Sequence, residues 1–173
     1  ELAQKSAAAP SAARPAVVDA SLPAEGCEDA GPRLLALVAD YWNADLPAVA
    51  TAIQPRCVQY FSALSDKRYT SVEFDGEGRT QVRGGLGSTP ASALGPRDAD
   101  LLFLALKFAL IEKSTAFGRV PVVIEDGWGA VDDAKWPLLA RMLKHLGTLT
   151  QVIQVSSHPA FPPMADGTTT LGA

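Results

Sequence analysis

Val120-Pro121-Val122-Val123-Ile124-Glu125-Asp126 runs mostly β-branched apolar residues straight into two adjacent carboxylates. Such a run predicts a strand buried on both faces, as strands of parallel sheets are. Pro121 stands at its start, where a missing N–H is tolerated. In open α/β sheets, ligands gather beyond the carboxyl ends of the strands, so Glu125 and Asp126 are expected at a ligand site. Paired acids after a strand also commonly form no more than a turn and the cap of the next helix. The surrounding elements decide between the two readings.

The flanks predict an alternation of helices and strands. Residues 1–32 are rich in Ala, Pro, Ser and Gly, a composition that buries too little to offset its ordering entropy and reads as a linker or tail. From Pro32, Leu34, Leu35, Leu37, Val38, Tyr41 and Trp42 recur at helical spacing. A second helix is expected over Ala48 to Leu64, kinked or split by Pro55. Thr70, Val72 and Phe74 alternate with polar residues as a half-buried strand. Asp75-Gly76-Glu77-Gly78 is a hairpin signal, and Thr80 to Arg83 is the returning strand. Gly84 to Ser88 lacks the Gly-Lys-Ser/Thr ending of a phosphate loop and reads as a connector.

Ala99 to Lys113 is apolar almost all round and predicts a central buried helix, with Asp100, Lys107 and Ser114 on one polar stripe. After the Val120 strand, a helix is expected from the Asp133–Pro137 region to Gly147. Gln151 to Val155 is a second short strand, ending in Ser156-Ser157-His158-Pro159. Residues 33–160 thus form one lobe, and 161–173 a Pro- and Gly-rich tail.

Bulk properties narrow the function classes. At 173 residues the chain can bury a sizeable core. A net charge of −4 gives no basic footprint for nucleic acid. Cys27 and Cys57 are too few for a metal site or a disulfide framework, so a reducing, cytoplasmic setting is expected. Lys107 interrupts the longest apolar run well short of the ~20 residues a membrane span needs. Glu1 is not an initiator, so a fragment or processed chain is expected.

From Ala52 to His158 the order and residues resemble the C-terminal lobe of an ABC-type ATPase head of the SMC, RecF and RecN kind. Lys67-Arg68-Tyr69-Thr70 matches that family's "gRY" strand, and Leu104-Ala105-Leu106-Lys107-Phe108-Ala109-Leu110 its "LALxxAL" helix core. Val122 to Asp126 matches Walker B, Ala130-Val131-Asp132 the D-loop, and His158 the switch histidine. The resemblance implies an α/β, P-loop NTPase-like lobe with parallel core strands, a β-hairpin and packed helices. It also implies roles: Glu125 holding Mg²⁺, Asp126 and His158 in catalysis, and Gly95, Arg97 and Asp132 against the nucleotide. A homodimer or protein partner would form through the head surface, with ATP and Mg²⁺ in a complete head. DNA enters only through the resemblance, and no membrane contact is implied.

The departures from that pattern are specific. The signature motif falls on Leu94-Gly95-Pro96-Arg97-Asp98, with Gly95 where the family has serine and Arg97 where it has glycine. The missing hydroxyl and added bulk weaken any grip on a γ-phosphate at the helix N-terminus, although an arginine can itself pair with phosphate. Walker B opens its acid pair with Glu125 rather than Asp, and Gly127-Trp128 follows instead of a Pro-aromatic pair. No Gly-x-x-x-x-Gly-Lys-Ser/Thr occurs in the chain, and no Q-loop can be placed. His145, late in its helix, reads as structural, and Trp128 and Trp136 as packing residues. The expectation is a degenerate head lobe, a pseudo-ATPase acting as a dimerisation or docking platform, with no cofactor on this fragment alone. Two alternatives stand beside it. One is the C-terminal half of an active ATPase whose phosphate loop lies upstream or on another chain. The other is an α/β binding domain with no nucleotide history.

Overall fold

The computed structural model describes residues 30–85, 87–125 and 131–170. Asp126, the Gly127-Trp128 pair, Ala130, Cys27 and most of the expected N-terminal linker lie outside the described residues. Helix α1 (Ala30–Trp42) begins two residues before the expected Pro32, since Pro32 is tolerated in a first turn. Leu35, Ala39 and Trp42, spaced by four and three, are its buried stripe. Trp42 donates its indole N–H to Ser114 Oγ at 3.0 Å and stacks on Phe117.

Helix α2 (Leu46–Leu64) is capped by Asp45, whose carboxylate accepts the Ala48 N–H at 2.7 Å. It runs unbroken through Pro55, so the expected split does not occur; the proline removes one helical donor and the buried face outweighs that loss. That face is Val49, Ile53, Cys57, Tyr60, Phe61 and Leu64. It packs on α3 (Pro96–Ser114), whose Leu101, Leu102, Ala105, Phe108 and Ala109 are buried, as the all-round apolar sequence predicted. Each fully buried large side chain here, Phe61, Phe108 or Leu101, contributes roughly 1.5–3 kcal/mol.

Strands β1 (Tyr69–Phe74), β2 (Thr80–Gly84) and β3 (Gly87–Pro90) form an antiparallel sheet in that order. Val72 opposes Val82, and both are buried. The Gly84–Ser88 segment is therefore not a plain connector: Gly87 and Ser88 belong to β3, paired with Gly84 and Arg83. Gly84 is required by contact, because a Cβ there would lie 2.4 Å from the Arg68 carbonyl oxygen.

Strands β4 (Val122–Glu125) and β5 (Val152–Val155) pair in parallel, Val122 with Val152 and Glu125 with Val155, and α4 (Trp136–Gly147) crosses between them. Leu139, Ala140, Met142, Leu143 and Leu146 form the buried stripe of α4. The expectation of a strand buried on both faces is corrected here. Ile124 and Val152 pack on the core, but Val123 is 61% exposed, Ile153 44% and Val155 41%. The physical reason is that, among the described residues, nothing covers the second face of this two-stranded sheet. A groove of about 970 Å³ follows β4, walled by Leu34 and Val38 of α1 and by Phe103, Leu104 and Lys107 of α3. Beyond β5, Phe161 is buried and Pro162–Met164 form a single 3-10 turn beside α4. No described helix is long and apolar enough to cross a membrane.

Candidate functional site

The residues singled out in the sequence stand at the start of α3, in the turn before α4, and at or after the ends of β4 and β5. Gly95 is the N-cap of α3, with extended backbone and no side-chain cap. A Cβ at Gly95 would meet nothing within 4 Å, so serine's absence is not imposed by packing. Pro96 opens the helix, and the next two residues carry charge to neighbouring elements. Arg97 donates to the Asp132 carboxylate, joining the start of α3 to the turn before α4 with the two side chains 52% and 49% exposed. Asp98 accepts two hydrogen bonds from the Arg68 guanidinium, at 2.9 and 2.5 Å, and one from the Tyr69 hydroxyl at 2.8 Å. Partial burial pushes the Asp98 carboxyl up, but the Arg68 and Tyr69 hydrogen bonds outweigh it and hold the group below the usual carboxylate range.

The side that carries Asp132 is anchored by a residue with no local sequence signal. Lys135 is only 8% exposed, although its type is rarely buried. Its ammonium donates to the carbonyl of Leu64, the last residue of α2, and pairs with Asp66 at 2.9 Å. A cation suits the negative end of the α2 dipole. The turn it holds is tight: Asp66 and Lys67 both have positive φ, 54° and 62°. Lys135 also holds the Asp66 carboxyl below its ordinary value by hydrogen bonding. No local signal marks Lys135, because its partners are distant in sequence.

His158 lies half-buried after β5, and Trp136 stacks on its ring with centroids 4.0 Å apart. Trp136 is thus a packing residue, as expected, but its partner is the candidate histidine itself. Glu125 ends β4 on the uncovered face of the sheet, in phase with Val123, and is exposed. The structure therefore brings Arg97 and Asp132 together, with Gly95 two residues before Arg97 at the cap of α3. Glu125 ends β4 and His158 follows β5, and among the described residues no hydrogen bond or ion pair joins them; Asp126 lies outside the described residues.

A second charged cluster fastens the helices. Glu112 of α3 receives Arg56 at 2.6 Å and the Tyr60 hydroxyl at 2.8 Å, both from α2, and His145 of α4 stands 3.8 Å away. His145 accordingly joins helices. Burial, then Glu112, pushes the Tyr60 hydroxyl up. Cys57, fully buried on α2, is pushed up to about 12 by desolvation.

Among the described residues, those around the N-terminus of α3 do not by themselves fit a nucleotide with Mg²⁺. The N-cap of α3 carries no hydroxyl, the nearby Arg97 guanidinium is paired with Asp132, and the chain contains no phosphate-loop sequence. Among the described residues, no group of three or more His, Cys, Asp or Glu is placed to hold a metal ion.

No family model matches the chain, and no curated protein matches it in sequence. Solved structures share its fold. An SMC head bound to the C-winged helix domain of ScpA aligns with a TM-score of 0.59 at 16% identity, over 78% of this chain and 44% of that one. An SMC head with a coiled coil and joint from Pyrococcus yayanosii aligns with a TM-score of 0.56 at 16% identity, over 70% of this chain and 24% of that one. A third similar structure comes from work on the ATP-driven dimerization and DNA-stimulated activation of SMC ATPases. It aligns with a TM-score of 0.53 at 16% identity, over 76% of this chain and 78% of that one. The chain thus spans less than half of the first two neighbours and most of the third. The expected α/β fold of an SMC-like ABC ATPase head, with its parallel pair, hairpin and packed helices, is the fold observed.

Proposed function

We propose that this chain, with the fold of an SMC head, is a degenerate head lobe: a pseudo-ATPase that serves as a dimerisation or partner-docking platform. One observation carries the reading. The helix N-terminus that would meet a γ-phosphate has Gly95 as its cap, and its Arg97 is paired with Asp132 of the D-loop. That half-exposed pairing competes with any phosphate for the guanidinium. Partners would then be a second copy or another protein, held through the head surface, in the cytoplasm. The test is Mg-ATP binding and phosphate release by the full-length protein. No turnover above the buffer rate is expected, and tight binding with sustained turnover would overturn the proposal.

A second reading is favoured by the uncovered face of Val123, Ile153 and Val155 beside the groove along β4. A further lobe bearing a phosphate loop, upstream or on another chain, would complete this sheet. In that case the chain is the C-terminal half of an ATPase that uses ATP and Mg²⁺ and couples hydrolysis to DNA maintenance. Glu125 would then hold the metal, with Asp126 and His158 acting on the attacking water. An Asp126→Asn substitution with no effect on cellular function would count against this reading.

A further inference from the structure

Trp136, His158 and Phe161 form a three-ring cluster that the pseudo-ATPase reading does not use. The indole and imidazole lie nearly parallel, 17° apart, at 4.0 Å between centroids. Phe161 closes the cluster edge-on, 5.5 Å and 87° from Trp136 and 6.1 Å and 70° from His158. The imidazole is also fixed by hydrogen bonds. Its Nδ1 accepts the Ala160 N–H at 3.2 Å, and the His158 backbone N–H donates to Ser156 Oγ at 3.0 Å. An Nδ1 that accepts carries no proton, so the neutral ring has its proton on Nε2. Among the described residues, none accepts from Nε2. Trp136 is itself tethered, its indole N–H donating to Asp133 Oδ1 at 3.3 Å, one residue from Asp132.

We infer that Trp136 is a positioning residue for His158, holding the imidazole in one orientation as an Nε2–H donor after β5 and tying that donor to the turn that carries Asp132. The stack restricts ring rotation, the Ala160 N–H selects the tautomer, and the Asp133 hydrogen bond fixes the indole that does the stacking. The inference concerns the ring's geometry and stands whether or not the lobe hydrolyses ATP.

The chain has two histidines, so ¹⁵N–¹H correlation spectra of the imidazoles read it directly. The spectra are recorded on the full chain in alkaline buffer, where imidazole is neutral. His145→Gln assigns the two signals. The expected result is a single Nε2–H tautomer for His158, with a pyridine-type Nδ1 and a pyrrole-type Nε2. Trp136→Leu should collapse this to a tautomer average while leaving His145 unchanged, and Trp136→Phe should retain much of the wild-type pattern. If Trp136→Leu does not fold, Asp133→Ala, which frees the indole and leaves it in place, should broaden the His158 signals alone. A His158 already averaged in the wild type overturns the inference. So does a His158 pattern unmoved by the loss of the indole or, where that variant does not fold, by the loss of its tether.

Discussion

Replacing Lys135 by methionine tests what holds the turn between Asp132 and α4 in place. The substitution keeps the length and apolar stem of the side chain while removing the ammonium. Two interactions disappear: the hydrogen bond to the Leu64 carbonyl and the ion pair with Asp66. They are unequal. Lys135 is 8% exposed and its bond to Leu64 is buried, and a hydrogen bond to a charged group contributes about 1.5–3 kcal/mol. Asp66 is exposed, so solvent screens its pairing and little stability rests on it. The net loss for Lys135→Met should therefore be about 1.5–3 kcal/mol, which in a domain of this size lowers Tm by roughly 3–12 °C. Urea unfolding followed by tryptophan fluorescence measures it, with an unchanged m-value showing that stability alone has moved. Asp66→Ala is the companion variant and should cost only a small part of that loss. A Lys135→Met variant within about 0.5 kcal/mol of wild type, or an Asp66→Ala variant that is equally damaging, would refute the assignment of Leu64 as the anchor.

Gly95→Ser places a hydroxyl at the N-cap of α3 in open space, so it should stabilise the fold by a few tenths of a kcal/mol in thermal melts. On the pseudo-ATPase reading it restores no phosphate release. Arg97→Ala and Asp132→Ala, combined in a double-mutant cycle, should show a coupling of about 0.2–1 kcal/mol that shrinks in high salt, because both side chains are about half exposed. For Asp98 the sign follows from its lowered carboxyl. The folded state prefers the ionised form, so its contribution is complete above the unfolded value of about 4 and is lost as pH falls through the lower folded value. Asp98→Asn should flatten the stability–pH curve in that acidic window, as read by urea midpoints at a series of pH values.

Much of the fold was legible because its signals are local. The apolar run of α3 and the Val72–Val82 hairpin each state their burial within a few residues. Strand β3 was not legible: Gly87, Ser88, Thr89 and Pro90 lack apolar alternation, and their pairing with β2 decides their conformation. The burial expected of β4 failed for a different reason. Its apolar residues specify what the strand tolerates on both faces, whereas the described residues supply cover for only one. The candidate site was legible as motif positions and not as contacts. Nothing in the sequence pairs Arg97 with Asp132, 35 positions away, or Lys135 with Leu64, 71 positions away. Such partners are chosen by how α2, α3 and the turn before α4 pack.

The buried thiol of α2 gives this fold an internal clock. Burial pushes the Cys57 thiol up to about 12, so it is overwhelmingly protonated and unreactive at neutral pH even before access is considered. Alkylation by a maleimide must then wait until α2 lifts away from α3. In a Cys27→Ser background the labelling rate would count those openings, and a docking partner that braces the two helices would slow the count.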